Sequence, residues 1–143
     1  MPDILHEVTI AAAPDKVFEA LTQSPGLEAW WATYAVAEPK VGSTIQAFFG
    51  DDSVVNNMEV LTLEPARKVE WITRQSSLPE WIDTHITWNL SPTENGTKLL
   101  FGQCGYASAD GCLAMCSYNW AGYLTSLKDY LEKGKGNPYP FSD

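Results

Sequence analysis

The 143-residue chain sets nine Lys or Arg against eighteen Asp or Glu, for a formal charge of −9, and 45% of it is hydrophobic. Cations this few and this scattered argue against nucleic acid as a partner, since phosphate backbones are bound by clustered Lys and Arg. The opening "MPDILHEVTI" lacks the basic region and apolar run of a signal peptide, and no 18-residue apolar stretch follows. That argues against membrane insertion and places the expected chain in the cytoplasm.

The length fits one domain, residues 1–143, with 134–143 a short tail and a core that needs no disulfide staples. "ILHEVTI" alternates as a strand does, with Ile4, His6, Val8 and Ile10 on one face. In "AAAPDKVFEALT", Pro14 suits a first helical turn and Val17, Phe18 and Leu21 recur at helical spacing. "QSPG" ends that helix, and "LEAWWA" forms a second one of a turn or two. Its adjacent indoles, Trp30 and Trp31, are set about 100° apart on a helix, so they are expected to divide their roles between scaffold and interior.

About six strands follow, divided by turns. "STIQAFFG" and "VVNNMEVLTLEP" come first. "RKVEWITRQ" puts Val69, Trp71 and Thr73 on one face, and "WIDTHITWNL" does the same with Ile82, Thr84, Ile86, Trp88 and Leu90. The loop "SPTENG", with its Asn-Gly turn, leads back into "TKLLFGQCGY". Strands this close together, with no helix between them, form an antiparallel meander. From about Asp110 to Lys133 the period becomes helical, with Leu113, Cys116, Trp120, Leu124, Leu127 and Leu131 in one stripe and Met115 and Tyr123 at its edges. One long amphipathic helix on a curved antiparallel sheet gives an α+β domain with room for an apolar pocket between the layers.

Three cysteines, Cys104, Cys112 and Cys116, cannot all pair within the chain. Cys112 and Cys116 share a helix face, as a two-thiolate site would, but no His or third Cys stands at zinc spacing. Packed, reduced thiols are expected, with no metal and no cofactor. Hydrolase, metalloprotease, phosphate-loop and dinucleotide motifs are all missing. His85 shares a solvated strand face with Asp83, His6 reads as a hydrogen-bonded strand residue, and Asp51 with Asp52 reads as turn chemistry.

The segments "HEVTIAAAPDKVFEALTQSPGLEAWW", "HITWNLSPTENGTKLLFGQCGY" and "NWAGYLTSLKDYLEKG" together resemble the Aha-type family. These are homologues of the C-terminal domain of the heat-shock chaperone ATPase activator, within the START-like (SRPBCC, birch-pollen-allergen-like) superfamily. The resemblance implies a helix-grip fold: a seven-stranded antiparallel sheet around the long C-terminal helix, with two short helices and an elongated cavity. It also implies a tryptophan at the cavity mouth, assigned here to Trp31 with Trp30 on the scaffold. Two departures from the family pattern stand out. Gln103 occupies a position where many relatives carry a histidine, and Asn119 one where glycine is frequent.

The expected lining is Trp31, Phe48, Met58, Trp71, Trp88 and Phe101, with Gln103, Met115, Tyr118 and Asn119 completing it. Tyr106, Tyr118 and Asn119 are the polar groups expected to orient a ligand. Binding of a small, largely apolar or lipid-like molecule is the leading expectation. The alternatives are a protein-interaction domain, acting on a chaperone or other partner in a stress response, and a cyclase- or hydrolase-like enzyme. A monomer and a homodimer are both compatible with the sequence.

Overall fold

A computed structural model describes residues 2–50 and 54–140. Strand β1 (Asp3–Ile10) is followed by helices α1 (Pro14–Thr22) and α2 (Ser24–Trp30), then by β2 (Tyr34–Val36), β3 (Thr44–Phe49) and β4 (Val54–Glu64). Strand β5 (Lys68–Ser76) leads through one 3-10 turn (Pro79–Trp81) to β6 (His85–Thr93) and β7 (Gly96–Cys104), and helix α3 (Leu113–Lys133) closes the order. The seven strands form one sheet in the order β1-β7-β6-β5-β4-β3-β2, antiparallel throughout. The sheet curves around α3 with both short helices packed between its ends, so the helix-grip architecture is present. The expected Asp51–Asp52 turn lies outside the described residues.

Two boundaries differ from the sequence reading, each for a local reason. "SPG" opens α2 instead of merely ending α1, because Pro25 fits a first helical turn where its missing N–H costs nothing. Gly26 then lets the two helices touch, since a Cβ there would lie 2.7 Å from the Ala20 backbone. Ile82 is exposed and off the inward face, because β6 starts only at His85. Before it the chain turns through the 3-10 segment and Asp83, whose φ is +70°.

Helix α3 buries Cys116, Trp120, Leu124 and Leu127 against the sheet, with Leu113 and Leu131 half-buried at its ends. Its C-terminus is closed by Gly134 in the left-handed conformation, whose N–H reaches Tyr130 O. The last described residues fold back as a strap over α2. Asn137 N donates to Ser126 Oγ (2.6 Å), Tyr139 N to Trp31 O (3.0 Å), and Thr33 Oγ1 to Tyr139 O (2.9 Å).

Candidate functional site

All six tryptophans converge in one cluster beneath α3. Trp30 stacks on Trp31 (5.7 Å between centroids, 15° between planes), Trp31 on Trp120 (5.5 Å, 26°), and Trp120 on Trp81 (5.8 Å, 15°). Trp71 stacks on the other side of the group against Trp31, while Trp88 meets Trp30, Trp71 and Trp120 edge-on. Offset and edge-to-face contacts of this kind add about 0.5–1.5 kcal/mol each beyond buried area.

Both Trp30 and Trp31 are fully buried and lie face to face, yet of the two it is Trp31 that lines the cavity described below, while Trp30 donates its Nε1–H to Ala20 O (3.0 Å). Helical geometry stops at Trp30. Trp31, with φ −122° and ψ −69°, leaves the helix, so the 100° rule does not separate the two side chains.

A polar node sits at the sheet side of the cluster. Gln103 Oε1 accepts from Tyr106 OH (2.7 Å) and Trp120 Nε1 (2.8 Å), while its Nε2 donates to Thr84 Oγ1 (3.0 Å). Thr84 Oγ1 in turn donates to Trp81 O (2.6 Å). Burial pushes the Tyr106 phenol well above its ordinary range, which keeps it a donor. This uncharged amide joins β7, α3 and the β5–β6 connection with its hydrogen-bonding capacity largely used inside the protein.

Beside the cluster a cavity of about 140 Å³ remains between α3, the sheet and the strap. Trp31, Trp81 and Trp120 line it, and Phe49, Tyr123 and Tyr139 complete an aromatic wall. Leu78 and Cys116 fill the remaining apolar corners, with the Cys116 sulfur accepting from Trp81 Nε1 (3.3 Å). Among the described residues, only Asn56 and Asn119 bring amides to the lining, and none that lines it is charged. Asn56 is 3% exposed, and its Oδ1 accepts from the Ser76 hydroxyl. Ser76 Oγ itself accepts from Leu78 N (3.0 Å), which anchors the hydroxyl that donates to Asn56. Asn56 Nδ2 has no protein acceptor among the described residues and is left to the cavity.

Of the ten expected lining residues, Trp31 and Asn119 reach this space. Met58, Trp71, Trp88, Phe101 and Gln103 are inward and buried but are consumed in packing, which is why the cavity is small. Phe48 lies on the outer face against Tyr34, because Ile45, Ala47 and Phe49 take the inward parity of β3. Tyr118 (82% exposed) and Met115 (52% exposed) point away from the sheet. They stand about 160° and 140° around the helix from Trp120 at 100° per residue.

The residues the sequence reading passed over had signals. Phe49 is one step from Phe48, Asn56 shares the inward parity of Met58 and Val60, and Tyr123 lies three residues beyond Trp120. Tyr139, by contrast, comes from a tail with no periodicity to read.

The remaining titratable candidates serve structure. His6 faces α3, where Nε2 meets Ser117 O (3.2 Å), and His85 Nδ1 pairs with Glu70 Oε2 (2.9 Å). Glu80, in the 3-10 turn, takes the Cys112 N–H on both carboxylate oxygens (3.1 Å each) and so caps α3 from another element. Gly111 makes room for it: a Cβ there would lie 1.9 Å from Glu80 Oε2. Cys104, Cys112 and Cys116 are unpaired thiols, and burial raises the Cys112 thiol to about 12. Among the described residues, no helix is long and apolar enough to cross a membrane.

Comparison with known proteins agrees with this architecture. The solution structure of the Aha1 dimer from Colwellia psychrerythraea is 34% identical, covering 95% of this chain and all of that one, with a TM-score of 0.85. Protein MLL2253 from Mesorhizobium loti is 25% identical (92% and 98% covered, TM-score 0.80), and SSP2350 from Staphylococcus saprophyticus is 20% identical (94% and 95%, TM-score 0.78). A search of curated proteins returns no match. The family model described as "Activator of Hsp90 ATPase homolog 1-like protein" matches residues 11–132, from the approach to α1 almost to the end of α3, and the chain belongs to that family.

Proposed function

We propose that this protein holds a small, largely apolar ligand in the cavity between α3 and the sheet. The observation that carries the reading is an aromatic-walled space of about 140 Å³ beside an otherwise close-packed interior. That space offers aromatic surface to a guest, and none of the described residues that line it is charged. Toluene is a direct test. Near 100 times its Kd it stabilises the folded state by about 2.7 kcal/mol. For a chain of this size that corresponds to a rise in Tm of about 8 °C. Tryptophan emission should change over the same titration. An unchanged Tm at saturating toluene would sink the reading.

A second reading, contact with another protein, is favoured by one feature. Residues 111–127 carry no charge, in a chain of formal charge −9. Ala114, Met115, Tyr118, Ala121, Gly122 and Thr125 are exposed along that stretch of α3. Two copies of an acidic chain repel except where such a neutral face meets itself, so the occupant we propose is a second copy in a two-fold arrangement. The similar Colwellia protein is a dimer. Light scattering should give a dimer mass, and Tyr118→Lys should give a folded monomer whose Tm, unlike that of the wild-type dimer, does not depend on protein concentration. A monomeric wild-type protein would count against this face.

A further inference from the structure

We infer that the cavity selects a planar, single-ring aromatic molecule bearing one uncharged oxygen acceptor, with its ring against the aromatic lining of Trp31, Trp81 and Trp120 and its oxygen on Asn56 Nδ2. The inference rests on the ligand-binding reading above and narrows it to a chemical class.

Size sets the first limit. A dry cavity of about 150 Å³ accommodates benzene, and the present one measures about 140 Å³. One ring fits, with a short substituent toward the mouth, whereas a fused polycycle or an acyl chain does not. The wall sets the second. Trp31, Trp81, Trp120, Phe49, Tyr123 and Tyr139 make most of the wall, which is therefore aromatic. A conjugated ring meets aromatic side chains by offset or edge-to-face contacts, which a puckered aliphatic ring, lacking their quadrupole, does not make.

The acceptor follows from Asn56. It is 3% exposed on the inward face of β4, a position occupied by Met58 and Val60 further along the strand. A buried amide N–H left without an acceptor is costly. Ser76, itself held by Leu78 N, takes the Oδ1 side, so only the donor side is available to a guest. The matching group on the ligand is an acceptor. Charge decides which kind. Among the described residues none that lines the cavity is cationic, and the chain is strongly acidic, so a carboxylate would enter without a counter-ion, and burying an unpaired carboxylate is heavily disfavoured. A ketone, aldehyde or amide oxygen satisfies the amide at no such cost.

The test compares acetophenone with α-methylstyrene, which has the same shape with CH2 in place of oxygen. Calorimetric titration of the wild-type chain should show binding of both. Asn56→Leu should weaken acetophenone about tenfold, the upper end for one hydrogen bond, and change α-methylstyrene by less than about twofold. Benzoate should bind the wild-type chain at least about tenfold more weakly than acetophenone. Independently of any variant, the carbonyl stretch of acetophenone bound to the wild-type chain should lie below its frequency in hexane. If neither neutral molecule binds, the ligand-binding reading fails and takes this inference with it. If both bind but lose affinity equally in Asn56→Leu, or the bound carbonyl stretch stays at its hexane value, only the assignment to Asn56 is overturned. Benzoate binding as tightly as acetophenone would overturn the requirement for an uncharged acceptor.

Discussion

Replacing Gln103 by leucine removes one acceptor that two buried donors share. Tyr106 OH at 2.7 Å and Trp120 Nε1 at 2.8 Å both end on Gln103 Oε1. Both residues are essentially inaccessible, so water cannot take over. Each orphaned donor costs about 1–3 kcal/mol. The leucine returns part of that by burying about one to two more methylene equivalents of apolar surface. Thr84 Oγ1 loses a donor but keeps its own bond to Trp81 O, so its contribution is small. The net expectation for Gln103→Leu is a loss of about 2–4 kcal/mol. In urea, with m near 2 kcal/mol per M, the unfolding midpoint should fall by about 1–2 M. A second substitution isolates the cause. Tyr106→Phe should cost about 1 kcal/mol in the wild-type chain, where it breaks a bond, and almost nothing beside Gln103→Leu, where no bond is left. A midpoint shift under about 0.3 M, or additive effects of the two substitutions, would refute the shared-acceptor argument.

The cap on α3 gives another expectation. Gly111→Ala forces the Glu80 carboxylate off Cys112 N and should lower stability by about 1–2 kcal/mol in thermal unfolding. In a Glu80→Ala background the same change should cost far less. Cys112, held near 12 by burial first and then by its hydrogen bond with Cys116, should resist iodoacetamide at pH 8 unless the chain unfolds. A thiol pKa raised on folding contributes stability that is complete below the ordinary value of 9.0 and is lost as pH rises from there towards about 12. Urea midpoints should fall over that window, and Cys112→Ala should flatten the fall.

Much of the fold was legible because it is carried by periodicity. Alternation located the strands, and the 3.6-residue stripe on α3 named Cys116, Trp120, Leu124 and Leu127, all buried as expected. The site was harder to read because its residues differ from their neighbours by one position. Phe48 and Phe49 are equally aromatic, and only the pairing of β3 with β4 through Ile45–Met58 and Ala47–Asn56 decides which one faces in. The outward placement of Tyr118 was available from a helical wheel, whereas its proximity to Asn119 in sequence suggested otherwise. Glu80 and Tyr139 were beyond sequence reading. Each acts on an element far along the chain, Glu80 on Cys112 and Tyr139 on Trp31 and Thr33, and no local pattern announces such contacts.

The strap that carries Tyr139 has a kinetic consequence. It is held to α2 and the residues after it by Tyr139 N on Trp31 O and Thr33 Oγ1 on Tyr139 O, and to α3 by Asn137 N on Ser126 Oγ. Tyr139 adds an edge contact on Phe49 at 5.9 Å. None of the six stacked indoles depends on it for its neighbours. Local opening of a short terminal segment lies toward the low end of the free-energy scale for native fluctuations, below global unfolding. Access to the proposed cavity is thereby separable from the integrity of the core. A guest held there as proposed is expected to exchange as often as the seven-residue segment 134–140 lifts, while the tryptophan cluster stays in place.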